Sequence, residues 1–289
     1  MGLVLLLLVV AAGIGEQRDA IMASQEVPDP IRRLPRSAVL KRATLGHRSI
    51  VADWYWVRSA IYFGDPTLNK EHYRFLFPLV DLITDLDPHF EYAYLFGGVA
   101  LPTNLGNETW LNTTESTALL EKGVRVLPNS WHLRQILAYN QVQFHGNLGR
   151  AANLLAEAVR IPGRPGILLA LATRLYAAAG RPDSGLALAN EILETTEDPG
   201  LRGVIERRMK ELVVDRDIRQ LEAAIEDFRA RHGRLPGALS DLVSSGFLRE
   251  LPEEPLGGTY LLDPSSGEVR SSVVPDRLRP HLTRERPPK

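Results

Sequence analysis

The sequence predicts a mainly α protein: a solenoid of helical hairpins, a small C-terminal α+β unit, and an N-terminal hydrophobic segment. Three observations predict it. From Ala38 to Thr196, apolar residues recur at helical spacing in stretches divided by short Gly, Pro, Asn and Asp breakers. Near the other end, two strand-like pieces flank a turn signal. Leu3 to Ile14 is an unbroken apolar run.

Met1–Gly15 carries no charge. A transmembrane helix needs roughly 20 apolar residues, and a signal-peptide core roughly 7–15 after a basic flank. Only Met1 and Gly2 precede the leucines, so residues 1–15 read as a signal sequence or a membrane anchor, with Ala23 a weak cleavage candidate. Residues 16–37 read as a linker, extended by Pro28, Pro30 and Pro35. Arg32, Arg33, Arg36, Lys41 and Arg42 would favour a cytoplasmic body by the positive-inside rule. An upstream basic flank missing from this chain would change that count, so sidedness stays open between an inner-membrane-anchored protein and one exported to the periplasm.

Residues 38–199 are expected to hold the repeats. Ile50, Trp54, Val57 and Ile61 give Ser49–Phe63 an amphipathic pattern, ended by Gly64-Asp65-Pro66. Tyr73–Leu86 follows, stopped at Asp87-Pro88, then Phe90–Leu101 and Glu115–Leu127, stopped at Pro128-Asn129. Trp131–Phe144, a Gly146-Asn147 turn and Ala151–Ile161 form the next pair. Ile167–Ala179, the turn Gly180-Arg181-Pro182 and Ser184–Leu193 complete the series before Asp198-Pro199.

A hairpin period near 34 resembles the tetratricopeptide repeat. In that family a unit carries an aromatic at position 4, Leu-Gly at 7 and 8, Tyr at 11, Ala at 20 and 27, and Pro at 32. Tyr94, Gly98 and Leu101 match positions 4, 8 and 11 of the second unit. Pro88 and Pro128 stand about 40 residues apart against about 34 for the repeat, so an insertion falls around Asn104–Trp110. Leu137, Ala138, Ala151 and Ala158 match the third unit. Ala172, Thr173, Tyr176, Gly185, Ala189 and Ile192 match the fourth. Arg134 and Gln141 depart from the pattern at positions 4 and 11 of the third. The resemblance implies a concave face built from first helices, on which Tyr92, Leu95, His132, Gln135, Tyr139 and Arg174 fall, and a protein or peptide partner lying there. It implies scaffolding rather than chemistry.

Residues 200–232 read as capping helices, with Ile218, Leu221, Ile225 and Phe228 on one face and Arg216, Asp217 and Arg219 expected on a solvated one. Residues 233–274 change character: a short helix Leu239–Ser244, then Gly258–Asp263 and Glu268–Ser271 around Pro264-Ser265-Ser266-Gly267. Gly233, Arg234, Pro236, Leu242, Gly246, Leu248, Leu251, Pro252, Pro255, Gly257 and Tyr260 resemble the end of type II secretion major pseudopilin domains. The prepilin-peptidase signature and the calcium loop of those proteins are not matched. That likeness implies a small appendage and a bacterial secretion or pilus-type machine as context. Residues 275–289, rich in Pro and Arg, are expected to form a disordered tail.

The chemistry classes are narrowed by composition. The chain has 289 residues, no cysteine and a net charge of −1, which excludes thiolate chemistry, Cys-ligated metals and disulfides and argues against a broadly basic nucleic-acid surface. The seven histidines contain no pair three or four apart, so no helical metal pair is expected, and no cofactor either. No Walker or GxSxG sequence occurs. Asp81 and Asp85 lie one helical turn apart near a helix end, where carboxylates usually cap or face water. Trp54, Tyr55 and Trp56 read as core and hairpin contacts rather than a ligand cage. The expectation is a non-enzymatic scaffold at the cell envelope. The alternative is a hydrolase whose site is assembled from scattered residues on a helical fold, which would call for a polar cluster buried in one pocket.

Overall fold

A computed structural model describes residues 34–64, 73–106 and 109–274. The N-terminal hydrophobic segment, the linker as far as residue 33, the breaker Asp65-Pro66 and the C-terminal tail lie outside the described residues. The fold is mainly α, with eleven helices and two small antiparallel sheets among the described residues. The chain divides into two compact units, Met1–Val126 and Leu127–Lys289.

The first unit holds α1 (Ser37–Ala43), α2 (Arg48–Gly64), α3 (Leu76–Leu86), α4 (Glu91–Ala100) and α5 (Thr113–Val126). Between α4 and α5, β1 (Thr103–Asn104) pairs with β2 (Trp110–Leu111), Thr103 opposite Leu111. This hairpin occupies the stretch where the repeat spacing calls for an insertion. Its core is Leu76, Leu79, Val80, Ile83, Leu119 and Leu120 with Tyr62 and Tyr94, all essentially sealed from water. α4 approaches α5 closely because Gly97 and Gly98 present no side chain. A Cβ on Gly98 would stand 2.6 Å from Leu120 Cδ2, and the Ser116 hydroxyl donates to the Gly98 carbonyl at 2.7 Å.

The second unit packs each helix on the next: α6 (Trp131–Gln143), α7 (Leu148–Val159), α8 (Ile167–Ala178), α9 (Pro182–Glu194) and α10 (Pro199–His232). Local chemistry sets the ends. Ser130 and Asn147 cap α6 and α7 by accepting from the Leu133 and Arg150 amides. Asp198 caps α10 with Pro199 in its first turn, and Gly233 closes it at φ +71°, a left-handed position that favours glycine. At the α8–α9 contact, Thr173 O lies 3.5 Å from where a Gly185 Cβ would be. α10 then carries a second core: Ile218, Leu221, Ile225 and Phe228 meet Leu239, Leu242 and Val269. α11 (Ser240–Ser244) and the hairpin β3 (Tyr260–Leu262)/β4 (Val269–Ser271) complete that layer.

Several expectations change. Residues 200–232 belong to one continuous helix, Pro199–His232, since past its first turn it holds no proline and no adjacent pair of breakers. The break between units falls inside the 38–199 segment, and Ser37 already belongs to α1 rather than to the linker. Asp217 is buried, not solvated: it takes the Arg216 guanidinium and the Tyr260 hydroxyl, and the resulting bonds tie β3 to α10. The apolar stripe of α2 is reversed. Ala52, Tyr55, Ser59 and Tyr62 face the core, while Ile50, Trp54, Val57 and Ile61 are 51–66% exposed.

Candidate functional site

The six residues expected on a concave face are divided between the units, Tyr92 and Leu95 in the first and the other four in the second. On α4, burial of Ala93, Tyr94, Gly97 and Gly98 turns Tyr92 and Val99 outward, with Leu95 half-buried. The Tyr92 ring, 61% exposed, meets Trp56 edge-on at 5.4 Å. Trp56 in turn touches Phe90 and Phe96, so it belongs to an aromatic cluster with Tyr92 as its exposed rim. Tyr94 below is held by its hydroxyl, which donates to the Pro88 carbonyl at 3.3 Å. Burial, with the carboxylates of Asp85, Asp81 and Asp87 adding to it, pushes that phenol up to about 12 against the opposing Thr84 hydrogen bond.

On α6, Leu133, Arg134, Leu137, Ala138, Asn140 and Gln141 are buried. His132, Gln135 and Tyr139, at i, i+3 and i+7, therefore share the outward face. His132 stacks on Trp131, and the Tyr139 ring, 59% exposed, meets Phe144 edge-on at 6.3 Å. Arg174 stands half-buried on α8, forming no ion pair among the described residues. The arrangement offers exposed aromatic and hydrogen-bonding groups on helices with rigid buried sides.

Of the polar residues expected in water, Arg216 is exposed, while Asp81, Asp85 and Arg219 make structural contacts. Lys122 Nζ stands 2.7 Å from Asp81 Oδ1 and from Asp85 Oδ1, and 2.9 Å from Thr84 Oγ1, clamping α3 to α5. Burial would raise the Asp85 carboxyl, but hydrogen bonds from Lys122 and Ser37 and the charges of Lys122 and Lys41 hold it below the usual carboxylate value. Arg134, a departure from the repeat pattern, is buried and donates to Glu157 and to the Ser130 carbonyl. Arg219 bridges Asp215 to the Ala177 carbonyl, joining α10 to α8. Helical spacing announces Arg219 with Asp215, but the partners of Lys122 and the Glu157 partner of Arg134 lie tens of residues away, where no local pattern points to them.

Two open depressions lie in the second unit, of about 480 and 560 Å³. In the first, Arg160 and Glu191 are bidentate to each other at 2.7 and 2.6 Å, which holds the guanidinium above and the carboxyl below their ordinary values. In the second, buried Glu254 accepts from the Leu256 and Gly258 amides and from the Ser271 hydroxyl. Its acceptor sites are already directed at the loop it organises. Among the described residues no group of three or more His, Cys, Asp or Glu side chains is placed to hold a metal ion. Among the same residues no helix is long and apolar enough to cross a membrane. No family model matches the chain, and no curated protein or solved structure is significantly similar to it.

Proposed function

We propose that the chain is a non-catalytic scaffold of the tetratricopeptide type that binds a partner protein at a bacterial cell envelope. The observation that supports this reading is the close approach of paired helices where small residues replace side chains. Gly98, crowded against Leu120, is bridged to Ser116, which stands at position 20 once the hairpin insertion is allowed for. At Gly185 the Thr173 carbonyl would lie at an ordinary contact distance of 3.5 Å from a Cβ, with Leu212 of α10 nearer at 3.2 Å. The C-terminal likeness to a pseudopilin end is supported by Gly233, Gly246 and Gly257, all at positive φ where that pattern has glycine. A secretion or pilus-type machine is the context this favours, with the membrane reached through the N-terminal segment.

The partner-binding residues proposed are Tyr92 and Leu95 on the first unit and His132, Gln135, Tyr139 and Arg174 on the second. The test is recovery of one partner by the full chain, compared with Tyr139→Ala and Arg174→Ala. An exposed aromatic or Arg anchor at the centre of an interface contributes about tenfold or more in affinity, so each variant should lower recovery of that same partner. Unchanged recovery with both would remove this placement.

A further inference from the structure

α2 is amphipathic in an inverted sense. Its core side is made of Ala52, Tyr55, Ser59 and Tyr62, and its larger aliphatic groups point outward. At about 100° per residue, Ile50, Trp54, Val57 and Ile61 lie within an arc of about 60° along three helical turns. They are 66%, 51%, 56% and 64% exposed. Leu45, in the turn before α2, is 87% exposed and held at φ +46°, and Val39 on α1 is 57% exposed. A leucine in the left-handed region carries a backbone cost, here with its side chain almost wholly in water. A contiguous apolar stripe of this kind marks a contact surface.

Charge identifies what it contacts. Between Arg36 and Gly64 stand Arg36, Arg42, Arg48 and Arg58, with Lys41 set against Asp85 of α3, and a single acid, Asp53, in a chain whose total is −1. The Arg58 guanidinium lies over the Trp54 ring at 4.0 Å, on one edge of the stripe, while Asp53 occupies the other. An apolar stripe with a tryptophan, set in a cation-rich stretch, is the arrangement that lies in the interface of an anionic bilayer. Two copies docking through this face would bring two basic stretches together, which charge opposes.

We infer that α1 and α2 form an interfacial membrane-binding element, with the Ile50–Trp54–Val57–Ile61 stripe seated at the headgroup–acyl boundary of an anionic leaflet. The stripe and its charge stand without the N-terminal apolar run, and where that run is inserted it makes this docking intramolecular. The inference concerns α1 and α2 and is independent of the partner surface proposed on α4, α6 and α8.

The cysteine-free chain allows a single label at each site. Full chains carrying Val57→Cys or Ile61→Cys, with Ala187→Cys on α9 as control, are labelled with an environment-sensitive fluorophore. They are mixed with phosphatidylcholine vesicles with or without phosphatidylglycerol. The expected result is blue-shifted emission at 57 and 61, protected from an aqueous quencher, on phosphatidylglycerol vesicles only, with 187 aqueous throughout. Each cation near an anionic surface contributes roughly fivefold to partitioning, so Arg42→Gln with Arg48→Gln should weaken the shift about twentyfold. These side chains are exposed, and an unchanged thermal melt verifies the fold. Labels that stay aqueous on vesicles to which the chain is bound would overturn the inference. So would labels already apolar without vesicles, whether concentration-dependent (a second copy) or not (another segment of this chain).

Discussion

Gly98→Ala tests the close helix contact on which the repeat reading leans. The added methyl would lie 2.6 Å from Leu120 Cδ2, 2.9 Å from its Cγ and 3.0 Å from its Cδ1. Leu120 is fully buried, so it cannot swing into solvent. Overpacking of this kind costs about 1–3 kcal/mol. Parting the helices would also stretch the Ser116–Gly98 hydrogen bond, a net contribution of about 1 kcal/mol. Against this stands a gain of about 1 kcal/mol from replacing glycine inside a helix. The balance is a loss of about 1–3 kcal/mol, read as a fall of several degrees in the melting of the first unit followed by circular dichroism. Gly203, in α10, has open space where a Cβ would go, so Gly203→Ala keeps only the propensity term and stabilises by about 0.5–1 kcal/mol. Leu120→Ala removes the obstruction, and in that background Gly98→Ala should change sign and stabilise. If Gly98→Ala stabilises in the wild-type background, or costs the same in both, the close contact is not what glycine serves there.

Two further predictions follow from polar clusters. Lys122→Met should destabilise the first unit by about 1–2 kcal/mol near neutral pH, a figure reduced because Asp81 and Asp85 are partly exposed. Asp85 has its carboxyl depressed in the fold, so its contribution is full above the unfolded value of about 3.9 and is lost as pH falls through the lower folded one. Melting curves of wild type and variant should therefore converge in acid, and a constant gap between them from neutral pH into strong acid would refute the clamp. Glu254→Gln should cost about 1–3 kcal/mol despite its matched shape. Two backbone amides need the oxygen on one side, and the Ser271 hydroxyl on the other already accepts from Val273 and Val274, leaving no acceptor for a new amide NH₂. Hydrogen exchange at Leu256 and Gly258 reads it, and unchanged protection would mean the carboxylate does not organise this loop.

The helices were legible because their limits are written locally. Asp87-Pro88, Gly146-Asn147, Gly180-Arg181-Pro182 and Asp198-Pro199 each supply a stop, a cap or a fixed φ within a few residues of the boundary. The short C-terminal hairpin was legible for the same reason, with Gly267 at φ +80° closing its turn. The polar clamps were not. Lys122 reaches back from α5 to Asp81 and Asp85 on α3, and Tyr260 reaches Asp217 across a comparable stretch of chain. Near-neighbour spacing carries no trace of such pairs, so Asp81 and Asp85 read as end-of-helix carboxylates although both hold an ammonium. For the candidate surface, sequence supplied positions only. The outward placement of His132, Gln135 and Tyr139 depends on which neighbours the rest of the unit buries.

The reversal of α2 and the burial of Asp217 have one physical origin. Periodicity reports that a helix has two unlike faces, and it does not report which one the rest of the chain can cover. In α2 the covered face carries hydroxyls, and two of them are hydrogen-bonded. The Ser59 hydroxyl donates to the Trp56 carbonyl at 2.8 Å, and the Tyr62 oxygen lies 3.5 Å from the Phe75 amide it accepts from. Alanine and serine let the neighbour come close while the tyrosine rings fill the remaining volume, so the core is satisfied without Ile50, Trp54, Val57 and Ile61. In α10 the balance runs the other way: a carboxylate enters the core because Arg216 and Tyr260 both reach it. Binary hydrophobic patterning fails wherever a buried polar group finds its partners, and what it leaves outside is then apolar surface that the fold itself has no use for. On α2 that surplus is continuous, contains Trp54 and has Arg58 along one edge and Asp53 along the other. It lies in a stretch of chain where cations outnumber acids, and so it reads as a contact surface rather than as a packing defect.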